Sequence, residues 1–173
     1  MIFGRTRKRA HDVAIAALRP LISVNQMTGG LSTMMYFDPY VLGYLTTTVS
    51  LAIKLELKGK ASQTDVGLAI QDAFTEVCNV NGAEATIQVM DLVASNDPEY
   101  ARGSDEASVA LFYAYQVLKN EAEEPIVIEA EQLVHKTGGS ILGGTHRDAV
   151  GGSIILNTFH RHIGKLRAGG IHA

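Results

Sequence analysis

Apolar side chains recur at helical spacing in the first part of the chain. Between residues 5 and 19 they return every three or four residues, which is typical of an amphipathic helix with one buried face. The residues on this face are Ala10, Val13, Ala14, Ala17, Leu18 and Leu21. Pro20 is expected to end or kink the helix, because a proline disfavours the helical conformation of the residue before it. Residues 22–37, which contain Gly29 and Gly30, are then predicted as a connection.

The pattern of residues 38–58 fits two kinds of element. Apolar and polar residues alternate near its end, as in a β-strand, while an overlapping set of apolar positions follows helical spacing. Asp38 and Pro39 form a typical helix start, since the carboxylate caps the first turn and proline suits the first helical position. Gly59 is typical of a helix end. We therefore predict one long buried helix, and a strand at 46–58 is the alternative.

Four further helices are predicted from capping residues followed by apolar stripes. Ser62 and Asp65 have the spacing of a capping box, and the helix that follows has the clearest stripe in the chain. The predicted helices cover 62–78, 81–94, 104–119 and 125–136. Residues 95–98 indicate either a loop or a fresh helix start, because they end in Asp97 and Pro98.

Glycine sets the C-terminal part of the chain apart. Six glycines fall between residues 138 and 152, and apolar residues at helical spacing follow them. The pattern as a whole predicts an all-α, single-domain bundle of six to seven helices. We divide it into a helical core domain (1–137), a glycine-rich linker or loop (138–152), and a C-terminal amphipathic helix with a short tail (153–173).

Composition supports a folded domain in a reducing compartment. The chain has 173 residues, of which 46% are hydrophobic and 19% charged, so it has enough apolar material for a core. Cys78 is the single cysteine, so the chain forms no internal disulfide, and we expect a cytoplasmic protein. The least charged stretch, 39–53, is too short to predict a transmembrane segment.

Charge is distributed unevenly along the chain. The net charge of −3 combines +4 in residues 1–19, +1 in 20–60, −12 in 61–134 and +4 in 135–173. One interpretation is that the basic ends pair with the acidic middle, within one chain or between subunits. The other is that the basic ends bind an external polyanion. The pI near 6 argues against a dedicated nucleic-acid-binding domain.

The glycine-rich segment is a candidate anion site. Glycines let backbone amides approach a phosphate, and Thr145, His146 and Arg147 would be the polar groups of such a loop. The segment matches neither a P-loop nor the Rossmann fingerprint, so a flexible linker is the favoured interpretation. His160 and His162 stand two residues apart and would point to different sides of a helix, so we predict no metal site. No catalytic residue or cofactor is expected.

These observations predict a non-enzymatic interaction or regulatory protein that acts through homo-oligomerisation or a protein partner. One alternative is a small-ligand or anion-binding protein, or an enzyme, that uses the loop at 137–152. A second alternative is a peripheral protein that binds nucleic acid or an anionic membrane through its basic N-terminus. The residues of that basic patch are Arg5, Arg7, Lys8 and Arg9.

Overall fold

The computed structural model describes residues 3–27, 29–137 and 144–169, and every regular element in these ranges is helical. The helices in chain order are α1 (Phe3–Met27), α2 (Thr33–Tyr36), α3 (Pro39–Glu56), α4 (Gln63–Val77), α5 (Gly82–Ala94), α6 (Pro98–Ala114), α7 (Pro125–Lys136), α8 (His146–Ile155) and α9 (Arg161–Ala168). A 3₁₀ turn, Glu121–Glu123, precedes α7, and a π-helical turn, Leu156–His160, joins α8 to α9. The predicted all-α bundle is confirmed, with slightly more helices than expected. The alternative strand at 46–58 is wrong, because this stretch belongs to α3 and the turn after it.

Helix α1 continues through Pro20, so the helix end predicted at this proline is wrong. Residues 22–27 are helical, and the short α2 occupies part of the remaining predicted connection. Beyond the proline, Leu21 and Ile22 are buried, and the side-chain Nδ2 of Asn25 donates a hydrogen bond of 2.9 Å to the Leu21 carbonyl. Burial of these side chains offsets the cost of about 3 kcal/mol for a proline inside a helix.

Helix α3 forms the centre of the bundle and is buried on nearly all sides. The Asp38 carboxylate caps its start as predicted, accepting a hydrogen bond of 3.1 Å from the Val41 amide. Polar residues tolerate burial here because their hydroxyls bond to the preceding turn. For example, Thr46 donates to the Leu42 carbonyl at 2.6 Å. The repeated threonines are therefore compatible with the core position that the apolar pattern predicts.

Helices α3 and α6 cross with their backbones in contact. A Cβ atom added to Gly43 would lie 2.2 Å from the Tyr100 carbonyl oxygen. A Cβ atom added to Gly103 would lie 2.2 Å from the Tyr40 carbonyl oxygen. Any side chain at either glycine would therefore push the two helices apart.

The capping box predicted at Ser62 and Asp65 is confirmed, and Asn81 caps the start of α5. The Ser62 hydroxyl accepts from the Asp65 amide at 3.1 Å, and the Asp65 carboxylate accepts from the Ser62 amide at 3.3 Å. The Asn81 side chain accepts from the first amides of α5, including that of Ala83 at 3.1 Å. Helix α4 packs against α1 on one side and α5 on another, so α5 lies at the edge of the bundle.

Helix α6 begins earlier and ends earlier than predicted. Asp97 caps its first turn, so the helix starts directly after this residue and not at Ser104. It ends at Ala114 and not at Lys119, because Gln116 has a positive φ of 57°, which breaks the helical backbone. Asp97 and Pro98 therefore mark a helix start, which was one of the two interpretations of residues 95–98, the other being a loop.

A second, smaller apolar cluster joins the end of α6 to α7 and α8. Its buried residues are Ala110, Tyr113, Val127, Ala130, Val134, Val150 and Ile154. The helical segment formed by α8, the π-helical turn and α9 begins at residue 146 and not at residue 153 as predicted. Of the segment predicted as linker or loop, 146–152 is helical and 138–143 lies outside the described residues.

Candidate functional site

Helix α5 carries three large apolar side chains that face solvent. Ile87, Met90 and Val93 are 57%, 58% and 53% exposed. The small residues Ala83 and Ala94 are exposed beside them, and we call these five residues the outer face of α5. Single exposed apolar residues are ordinary on protein surfaces, whereas a contiguous apolar face marks an interaction site.

The spacing of the outer face matches that of a coiled-coil helix. The positions 83, 87, 90 and 94 are separated by four, three and four residues, which is the alternation of a and d positions in a heptad. The opposite side of α5 packs on the bundle, where Ala85 is buried and Leu92 half-buried. Helix α5 is therefore apolar on two sides, and the bundle covers only one of them.

Carboxylates flank the outer face. Glu84 and Asp91 are exposed and occupy the positions next to the apolar residues in the heptad. A groove of about 270 Å³ runs from Val93 toward α6, and Asp97 and Asp105 lie along it. The surface around the outer face is thus acidic, in keeping with the net charge of −12 in residues 61–134.

A network of polar side chains closes one end of the α3–α6 crossing. The His162 ring lies between Asp38 and Arg102, with 3.0 Å from Nε2 to the Asp38 carboxylate and 3.2 Å from Nδ1 to the guanidinium. The same ring stacks on Tyr40 with 4.0 Å between ring centroids. Because a guanidinium only donates, Nδ1 of His162 accepts and Nε2 carries the proton that is donated to Asp38.

The side chains of this network act as hydrogen-bond partners for one another. Arg102 lies over the Tyr40 ring at 4.3 Å and also bonds Glu99 and Glu106, while the Tyr40 hydroxyl donates to Glu106 at 2.5 Å. Burial and the hydrogen bond to Glu106 raise the pKa of Tyr40, which therefore stays protonated. Burial opposes ionisation of Asp38, but the hydrogen bonds from His162 and from backbone amides lower its pKa. The arrangement fixes α9 onto α3 and α6, and we interpret it as structural.

Two of the three predicted anion-binding residues of the C-terminal segment have roles in folding. Thr145 caps α8, and its amide and hydroxyl donate to the Asp148 carboxylate, which lowers the pKa of that group. The Arg147 guanidinium bonds Glu121 at 2.6 Å and lies 4.1 Å from the centre of the Tyr113 ring. His146 is exposed on the first turn of α8. Binding of an anion or another ligand by Thr145, His146 and Arg147 stays a prediction, since residues 138–143 of the same predicted loop lie outside the described residues.

The predicted basic patch lies on the first turns of α1. Arg5, Arg7, Lys8 and Arg9 are all exposed there. The structure brings Lys58 and Lys60, from the turn between α3 and α4, to the same cavity as Arg9. Sequence reasoning missed these two lysines because about fifty residues separate them from the patch.

Cys78 is not a candidate nucleophile. It lies at the end of α4 within the main core, and burial raises the pKa of its thiol to about 12. Within the described ranges, no group of three or more His, Cys, Asp or Glu side chains is placed to hold a metal ion. Of the helices described here, none combines the length and apolarity needed to cross a bilayer.

Neither a scan against protein-family models nor searches of curated proteins and solved structures return a match for this chain. The sequence indicates that α5 is apolar on more than one side, because its apolar residues occupy positions that cannot all share one side of a helix, but it does not indicate which side the bundle covers.

Proposed function

We propose that this chain is a non-enzymatic interaction module that binds an amphipathic, basic helix of a partner protein on the outer face of α5. The observation that carries the proposal is the exposure of Ile87 and Met90 on the side of α5 opposite the buried Ala85, with Val93 exposed at the edge of that side. A helix of the partner would cover these side chains in the way that helices pack in a two-stranded coiled coil.

Charge complementarity supports a basic partner. Glu84 and Asp91 stand where a coiled-coil helix carries the residues that select its partner. Lysine or arginine at the matching positions of the partner would pair with these carboxylates at the rim of the interface. Such pairs contribute to specificity and association rate more than to affinity, so the apolar residues supply most of the binding energy.

A second copy of the chain fits this surface less well. An antiparallel pair of α5 helices would place Glu84 and Asp91 beside the same residues of the other copy, so that like charges repel. A parallel pair would place Asp91 beside Thr86, which offers no countercharge. The proposal therefore favours the protein partner over the homo-oligomer among the two interactions that the sequence predicts.

The test uses two synthetic helical peptides that share the same apolar heptad residues. One carries lysine at the flanking positions and the other glutamate, and fluorescence anisotropy measures binding to the whole chain. We expect the lysine peptide to bind more tightly, with a difference that shrinks as salt rises. Ile87→Asp and Met90→Asp should each weaken binding at least about tenfold.

Ile128→Asp is the matched control, because Ile128 is also exposed but lies on α7. It should leave binding of the lysine peptide unchanged. Equal binding of the two peptides, no binding of either, or equal loss in the Ile128 variant would overturn the proposal. Sedimentation should give a monomer for the free chain, and a dimer that Met90→Asp dissociates would show that the occupant is a second copy.

A further inference from the structure

Three basic side chains from two distant parts of the chain line one small cavity. It measures about 200 Å³ and lies between the first turns of α1 and the turn that follows α3. Arg9 comes from α1, and Lys58 and Lys60 come from the turn. The remaining walls are Thr6, Glu56 and Leu57.

Positive charge exceeds negative charge in the part of this cavity wall that the structure describes, with three basic residues and one acidic residue. Among the described residues, none of Arg9, Lys58 and Lys60 has a carboxylate within ion-pair distance. Glu56 is the single acidic residue of the wall, and it accepts a hydrogen bond of 2.9 Å from the Tyr115 hydroxyl. Like charges gathered in a concave site repel each other unless an anion lies between them.

The charged side chains, and not the backbone amides of the turn, are the groups available to an anion. The Gly59 amide donates to the Lys54 carbonyl at 3.0 Å, and the Lys60 amide donates to the Leu57 carbonyl at 3.0 Å. The first turn of α1 adds the positive end of a helix dipole near Thr6.

Lys58 occupies a backbone conformation that suits glycine better. Its φ is 51°, in the left-handed region, where asparagine is the more common non-glycine residue. Three of the four other non-glycine residues with positive φ in the described chain are indeed asparagine. A lysine held in this conformation contributes a charge to the cavity at the expense of backbone strain.

We propose that this cavity binds the phosphate group of a small phosphate monoester. Arg9, Lys58 and Lys60 would pair with the phosphate oxygens, and the Thr6 hydroxyl would donate to one of them. Glu56 would repel a second phosphate and accept a hydrogen bond from a hydroxyl of the same ligand. The small volume of the cavity and this carboxylate favour a small molecule over the backbone of a nucleic acid or the surface of an anionic membrane.

The first experiment is a thermal unfolding titration of the whole chain with inorganic phosphate and with glycerol 3-phosphate. Sodium chloride at matched ionic strength is the reference. We expect both phosphate compounds to raise Tm above this reference in a saturable manner. Arg9→Gln and Lys60→Gln should each weaken the apparent affinity about tenfold, while Lys119→Gln, which removes an exposed charge on another turn, should not change it.

Lys58→Gly separates the binding role of this residue from its structural role. Glycine relieves the left-handed strain, so the variant should have a higher Tm without ligand and a lower affinity for phosphate. A variant that binds phosphate as well as the wild type would overturn the proposal, and so would phosphate that acts no better than sodium chloride. Binding of a DNA duplex, or of phosphatidylcholine vesicles containing phosphatidic acid, without binding of inorganic phosphate would assign the patch to a polyanion and also overturn it.

Discussion

The α3–α6 crossing and the outer face of α5 are both apolar helix surfaces, yet only the first is covered. At the crossing, Gly43 and Gly103 let two backbones touch, and the C-terminal segment then closes over the remaining side of α3. There Phe159 packs on Tyr44 with ring centroids 4.9 Å apart. The outer face of α5 instead presents large side chains, and no element of the described chain lies over them.

The difference indicates that the α3–α6 crossing stabilises the fold, whereas the outer face of α5 is available to bind another molecule. Small residues at a crossing give close packing and leave no room for an additional partner. Large apolar residues in solvent contribute nothing to the free energy of unfolding until something covers them. The following substitutions should therefore affect stability at the crossing and binding at α5.

Gly103→Ala should produce the largest effect, because its Cβ would meet the Tyr40 carbonyl and force α3 and α6 apart. We expect a loss of about 3 kcal/mol in the free energy of unfolding, measured by urea denaturation. Gly67→Ala is the control, since an added Cβ on this α4 residue meets nothing within 4 Å. It should stabilise the chain by about 0.5 to 1 kcal/mol. Equal effects of the two variants would refute the close contact.

His162→Ala should have the next largest effect, because it removes the group that joins α9 to the end of the crossing. Asp38 and Arg102 would each lose a hydrogen-bond partner in a half-buried site. We expect a loss of about 2 kcal/mol. His146→Ala, at an exposed position, should change stability by less than about 0.5 kcal/mol. An unchanged unfolding midpoint in the His162 variant would show that the network does not hold α9.

Acid should destabilise the packing of the C-terminal segment on α3 because of His160. Burial, together with the nearby charge of Arg167, lowers the pKa of His160 from its ordinary 6.5. The unfolded chain therefore binds a proton more readily, so stability is lost as pH falls below 6.5 and levels off below the folded-state pKa. His160→Gln should flatten this part of the stability curve, measured by urea midpoints between about pH 5 and pH 7.5.

His11 should act in the opposite sense and serves as the internal check. The hydrogen bond with Glu76 raises its pKa, so its contribution is present in acid and is lost as pH rises through the folded-state value. His11→Gln should therefore steepen the loss of stability in acid, whereas His160→Gln reduces it. The same slope in both variants would contradict the assignment.

Ile87→Gln should have the smallest effect on stability. Because this side chain is mostly exposed, we expect a change within about 0.5 kcal/mol. The same variant should still lose affinity for the lysine peptide. A large loss of stability would mean that the outer face of α5 supports the fold and that the comparison with the crossing fails.

Local signals predicted much of the fold. The capping pairs Ser62–Asp65 and Asp38–Val41 depend on residues three apart, so the sequence contains both partners of each interaction. The helix end at Pro20 was predicted wrongly, because a local rule was outweighed by burial of side chains against distant elements. The start of α6 was predicted too late for a different reason, because two local signals competed and Asp97, not the acidic turn after Ser104, caps the helix.

The sites were harder to predict because they depend on contacts between distant residues. Asp38 and His162 are 124 positions apart, and nothing near either residue indicates the other. The packing of the bundle determines which side of α5 is exposed. Apolar periodicity alone does not identify that side. Arg9 was recognised as a candidate, but Lys58 and Lys60 join it only through the packing of α1 on α3.

Because Cys78 is buried, the rate at which a thiol reagent labels it reports how often this part of the core opens. A thiol reagent reacts with the thiolate, which this environment suppresses, so labelling must wait until α4 separates from the core. Since the chain has one cysteine, a single labelling rate reports this event without ambiguity of position. That rate should respond strongly to Gly103→Ala and hardly at all to Ile87→Gln, so one chemical readout distinguishes the two surfaces.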